Sequence, residues 1–292
     1  MSFIEWFFSG AGTIVLGIVL KHMFKSDGSS QANSSVSLHE NKAASQTIEE
    51  AEVTESQMVS VRMVEALKLL NSGRYQPYTV SDLAQFLDLK RVSELEEFIT
   101  GQREPSFAFL ELFASKLGLN YEWLTSGHSS PYRTTVKHRH FPEDYLGMIE
   151  EQGPESIYFV KCRDECCKMF IVLKHSDLKY SVCPMVWHIS GHVGAGGSRQ
   201  LHSFYKMLQR LHENNLYSRC YGVVLDEKKF HSLLNGEVFP RTVLRRRNID
   251  YWFDDFSDIH HKYPIAERYR ELHGEEFLRA QDIVRGFECD VA

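Results

Sequence analysis

Thr79-Val80-Ser81-Asp82-Leu83-Ala84-Gln85-Phe86-Leu87 is the stretch on which the reading of the fold turns. A hydroxyl followed three residues on by a carboxylate satisfies orphan amides at a helix start, so Thr79 and Asp82 predict a capped N-terminus. Leu83, Ala84 and Leu87 then give the helix one apolar face. Working outward, Asp88-Leu89-Lys90 predicts a turn, and Val92, Leu95, Phe98 and Ile99 the stripe of the next helix. Gly101 closes that helix. Pro105-Ser106 opens another, lined by Phe107, Leu110, Ala114 and Leu117. Gly118 falls where a left-handed terminal residue belongs, and Asn120 caps a short helix, Tyr121 to Leu124, stopped by Gly127. Upstream, Val61, Val64, Leu67 and Leu70 predict a longer helix from Met58 to Leu70.

This order of caps and stops over 57–127 resembles the lambda-repressor/Cro-like (XRE-type) helix-turn-helix domain. The carrying residues are Leu83-Ala84-x-x-Leu87, Val92-Ser93-x-Leu95-Glu96 and Gly101-Gln102-Arg103-Glu104-Pro105-Ser106, then Leu110-x-x-x-Ala114-x-x-Leu117-Gly118 and Trp123-Leu124-x-x-Gly127. Such domains have Glu-x-Gly where this chain runs from Glu96 to Gly101, giving a longer third helix. The resemblance implies an all-α, five-helix DNA-reading domain. Its contacts would come from Lys90, Arg91 and Ser93 at the start of the recognition helix, and from Gln102 and Arg103. Against that stand the charges: seven Lys and Arg face nine Asp and Glu over 57–127. DNA binders draw much of their affinity from phosphate neutralisation. A protein-interaction module on a repurposed helix-turn-helix scaffold is the alternative.

The chain of 292 residues has room for two domains with linkers, at 43% apolar and 25% charged composition. A net charge of −6 gives no whole-chain attraction to nucleic acid or anionic lipid. Six cysteines without regular spacing point to a reducing compartment. Trp6 to Leu20 carries no charge, which predicts a transmembrane anchor over 1–25. Lys21, His22 and Lys25 follow it, placing the body in the cytoplasm as a single-pass membrane protein. Ser9, Thr13 and Gly17 are spaced by four and would let two such helices approach as a homo-oligomer. Residues 26–56 hold eight serines and an acidic end, a disordered linker.

After a connector at 128–153, the period changes. Ser156 to Cys162, Lys168 to Lys174 and Tyr180 to Ile189 predict an antiparallel meander, followed by a helix from Arg199 to Asn214. Tyr217 to Leu225 predicts another strand, and Pro264 to Leu272 and Glu275 to Arg285 predict helices. Residues 154–292 therefore read as an α+β domain with an antiparallel sheet.

Gly191-His192-Val193-Gly194-Ala195-Gly196-Gly197-Ser198 lies between a strand and a helix. Its glycine amides form a candidate anion loop of Gly194, Gly196, Gly197, Ser198 and Arg199. Gly197 stands at the lysine position of a P-loop, which disfavours nucleotide hydrolysis of that type. The stretch resembles the acyl-CoA loop of GNAT-type acetyltransferases, although Gly191 stands where that family has Arg or Gln. A plain turn, a phosphate-bearing ligand and acyl transfer are its three readings. Cys162, Cys166, Cys167 and Cys183 lack paired spacing and read as buried thiols, not zinc ligands. Arg245-Arg246-Arg247 and Tyr251-Trp252-Phe253 mix cations with aromatics, but Asp250, Asp254 and Asp255 point to internal pairing. His260-His261 reads as a solvated pair. No residue is read as catalytic or metal-binding, and no cofactor is implied. The expectation is a membrane-tethered regulator or sensor with DNA as partner. Its alternatives are a protein-docking module and an enzyme acting on acyl-CoA or a phosphate ligand.

Overall fold

The computed structural model describes residues 54–163, 167–259, 271 and 273–289. Among these the chain divides into two compact units, one holding 54–67 and 74–106, the other 68–73 and everything described from 107 onward. In the first unit lie most of α1 (Glu55–Asn71), together with α2 (Val80–Phe86) and α3 (Val92–Ile99). Thr79 caps α2: its hydroxyl accepts from the Asp82 amide at 3.1 Å, and its own amide donates to the Asp82 carboxylate at 2.8 Å. Those bonds hold the Asp82 carboxyl below its ordinary range. α2 packs on α3, and Leu83, Leu87, Leu95 and Ile99 are buried. Arg91, at the cap position of α3, makes no side-chain capping bond.

The second unit opens with α4 (Phe107–Leu117) and α5 (Tyr121–Ser126), which pack together. Gly118 ends α4 at φ +64°, a conformation that favours glycine. The Asn120 side chain caps α5 by accepting from the Glu122 amide at 3.0 Å. A 3-10 turn at Pro142–Tyr145 leads into α6 (Leu146–Gln152). The sheet follows: β1 (Ser156–Cys162), β2 (Lys168–Lys174), β3 (Tyr180–His188), then α7 (Ala195–Glu213) and β4 (Cys220–Leu225). Later come α8 (Glu227–Leu234), α9 (Asp254–Ser257) and α10 (Glu275–Cys289).

The strand order is β3-β2-β1-β4, with β1–β2 and β2–β3 antiparallel and β4 parallel to β1. The expected antiparallel sheet is thus corrected to a mixed one. Short turns make the first three strands a meander, whereas α7 carries the chain across one face before β4 enters beside β1, and such a crossover yields a parallel neighbour. The β2–β3 register shifts between Met169/Ile171, opposite Pro184, on a strand at the sheet's edge where proline is tolerated. Alternation sends Ile157 and Phe159 of β1 to the α7 side, with Phe204 in α7 and Phe277 in α10. On the other side Phe170 meets Phe230 of α8 edge-on at 4.8 Å between centroids, and Tyr180 meets Phe239 at 5.5 Å. The unit is layered around the sheet.

A single-pass membrane protein is not supported. Among the described residues no helix is long and apolar enough to cross a membrane. The stretch expected as anchor, 1–25, the stripe Ser9, Thr13 and Gly17, and most of the linker lie outside the described residues, as do Cys166, His260, His261 and the helix expected from Pro264 to Leu272.

Candidate interaction face and ligand groove

The residues expected to read DNA do not converge. Lys90, Arg91 and Ser93 are exposed at the start of α3, while Gln102 and Arg103 lie beyond its far end. Eight residues of helix separate the two groups by about 12 Å along the axis. Both arginines are occupied. Arg91 Nε lies 3.4 Å from the Glu94 carboxylate, and Arg103 Nε lies 3.1 Å from that of Glu97. The Arg103 guanidinium also covers the Phe98 ring at 4.5 Å from its centroid. These exposed pairs each contribute less than about 1 kcal/mol. Their functional consequence is larger, because each cation arrives with a carboxylate that repels phosphate. Neither the structure nor any comparison supports DNA binding or a role in transcription, and that expectation is corrected here.

The glycine loop is the start of α7. Gly194 is its cap residue at φ −75°, with no side-chain capping bond, and Gly196, Gly197, Ser198 and Arg199 form the first turn. None of its glycines has positive φ. Ser198 donates its hydroxyl to the Gly194 carbonyl at 3.2 Å, and its amide donates there at 2.9 Å. No backbone approaches the position of a Cβ at Gly194 or Gly196. Glycine is not required at either of these places, whereas a Cβ on Gly197 would lie 2.6 Å from Cβ of Val193.

Cys162, Cys167, Cys183 and Cys220 are buried free thiols. Burial raises the Cys183 and Cys220 thiols, the latter to about 12, so neither is a thiolate at neutral pH. Among the described residues no group of three metal-binding side chains comes together. Trp252 and Phe253 are core residues while Tyr251 is exposed, so the aromatic run after the arginines is no stacking surface.

Two features of the second unit had no sequence signal. One is polar burial beside the β1–β4 seam. Lys161 is only 1% exposed, its ammonium 4.9 Å from the centre of the Phe277 ring. His273 Nε2 lies 3.7 Å from the Asp250 carboxylate. Burial, and then the Lys161 cation, pull His273 down to about 4, with Asp250 opposing the shift.

The other is a groove of about 730 Å³. It is bounded by α4, α5, the 132–136 connector, α6 and the β2–β3 hairpin; Arg133, His175, Lys179 and Ser181 give it its chemistry. Its walls are fixed by backbone. The Asn120 amide donates to the Pro131 carbonyl at 2.7 Å, the Tyr132 amide donates to Gly236 at 2.9 Å, and a Cβ on Gly118 would lie 3.1 Å from the Tyr180 carbonyl oxygen. His175 Nε2 and the Ser181 hydroxyl are 2.9 Å apart. Burial, and then Lys179, lower the His175 pKa, leaving the ring neutral at pH 7. Among the described residues no carboxylate hydrogen-bonds its other nitrogen, so the pair lacks the third group that orients a catalytic histidine. His175, Lys179 and Ser181 share the β2–β3 hairpin, and the tertiary fold brings Arg133 of the connector to them.

No family model, no curated protein and no solved structure matches this chain.

Proposed function

We propose that the protein is a non-catalytic regulator whose first helical unit docks onto a protein partner. The carrying observation is the self-neutralised face of α3, where Arg91 is held by Glu94 and Arg103 by Glu97. A duplex presents a uniform row of phosphates, which this alternation of signs does not complement. A protein surface presents both signs, and charge pairs at its rim set orientation and partner choice. Val92, an exposed apolar residue in the first turn of α3, supplies contact area between the charges.

The test is photocrosslinking in cells from an amino acid carrying a diazirine at position 93. Discrete protein adducts that disappear with Val92→Asp are the expected result. Adducts to nucleic acid, or retention of duplex DNA with an affinity that falls steeply with salt, would sink the docking reading. Absence of any adduct from position 93 would move the contact off α3.

A further inference from the structure

We propose that the groove of the second unit binds a small molecule through a carboxylate or phosphate group, held between Lys179 and Arg133. A volume of about 730 Å³ is within the range of small-molecule sites. Charge balance in the groove is the first argument. Arg133 and Lys179 both line it, and neither makes an ion pair with a described residue. The neighbouring Lys174 is the contrast. It is locked between Glu155 at 3.0 Å and Asp177 at 2.8 Å, so both neighbouring acids are already engaged. Glu111 of α4 is the only carboxylate among the lining residues. Two cations against one carboxylate leave the groove short of negative charge.

Neutral hydrogen-bonding groups make the second argument. Ser181 lines the groove beside His175, and Thr134, Thr135 and Tyr121 add hydroxyl-bearing side chains to its lining. Ammonium and guanidinium groups flanked by hydroxyls recognise an oxyanion, because each donor shortens and strengthens its bond to a charged acceptor. Val136 and Met148 supply apolar lining for the uncharged remainder of the ligand. Preformation is the third argument. The walls are held by main-chain bonds from Asn120 and Tyr132 and by the close approach of Gly118 to β3, so little ordering is needed on binding.

The experiment uses the full chain and four probes at millimolar concentration: inorganic phosphate, citrate, adenosine monophosphate and uncharged adenosine. Thermal unfolding and isothermal calorimetry are the readouts. The expected result is saturable binding of at least one anion and none of adenosine. Phosphate against citrate tells a phosphate-selective site from a carboxylate-selective one. Lys179→Ala and Arg133→Ala should each weaken the binding roughly tenfold. Lys206→Ala, in the separate groove between α6 and α7, should leave it unchanged. Circular dichroism checks that all three variants fold, since Lys179 is half-buried while Arg133 and Lys206 are exposed. Binding of adenosine alone, binding that survives both groove substitutions, or silence toward all three anions would each overturn the proposal.

Discussion

The start of α7 and the seam between β1 and β4 form an instructive pair. The first is rich in glycine and resembles a ligand loop in sequence, yet Gly194 and Gly196 have ordinary φ values and open space where a side chain would go. The second shows one unremarkable glycine, Gly222, inside an apolar strand. A Cβ there would overlap the Asp250 carbonyl and come within 3.0 Å of the Trp252 ring. Beside that crowded glycine lie a buried lysine, a buried histidine and the carboxylate of Asp250. Glycine density and glycine necessity are therefore different properties. Necessity comes from what approaches the backbone, and the approaching atoms belong to residues distant in sequence.

The largest expected effect follows directly. Gly222→Ala should destabilise the protein by about 3 kcal/mol or more, because the clash is with backbone that cannot swing aside. The Asp250 amide donates to the Gly222 carbonyl at 2.9 Å, so moving one strand also breaks that bond. Urea unfolding of the variant at pH 7 measures the loss. A change within about 0.5 kcal/mol would show that the two segments are farther apart than described.

His273 supplies the second test, of pH dependence. With its folded-state value near 4 and an ordinary value near 6.5, the unfolded chain binds a proton that the folded chain refuses. Stability contributed by this group is therefore full above about pH 6.5 and is lost as pH falls toward 4, where the loss levels off. The total is at most about 3 kcal/mol, the size of the shift converted at 1.36 kcal/mol per unit. Comparing urea unfolding at pH 7 and pH 5 for wild type and His273→Gln isolates the contribution. An identical pH slope in the two proteins would remove His273 from the account and leave the seam no more pH-sensitive than the α7 start.

Local chemistry was legible where the signal and its partner lie within a few residues. Thr79 and Asp82 cap α2, Asn120 caps α5, and Gly118 and Gly127 adopt the left-handed conformation at helix ends. The meander of β1, β2 and β3 was legible for the same reason, since alternation and short turns are local. The parallel entry of β4 was not, because it depends on where a 19-residue helix sets the chain down. Charged side chains were the least legible of all. Arg91 and Arg103 look like donors for a nucleic acid until the rotamers that join them to Glu94 and Glu97 are visible. Conversely, Arg133 lies far along the chain from His175 and Lys179 of the β2–β3 hairpin, and only the groove brings it to them.

The smallest expected effect bears on the other half of the comparison. If the start of α7 is an ordinary helix terminus, Gly196→Ala should stabilise the protein, because alanine loses less backbone entropy than glycine on entering a helix. The gain should be about 0.5 kcal/mol, since a first-turn position realises only part of the interior difference. Nothing lies within 4 Å of the new Cβ to oppose it. Gly197→Ala is the internal control. Its Cβ would fall 2.6 Å from Cβ of Val193, so the same entropy gain must be set against a displaced side chain, and the variant should be neutral or weaker than wild type. The two substitutions add the same methyl group one residue apart, so composition and net charge cancel in the comparison. Differential scanning calorimetry of both resolves a shift of this size. Destabilisation by Gly196→Ala would mean that some group closes over the loop in solution. The contrast between the open position of Gly196 and the crowded seam would then fail at its simpler end.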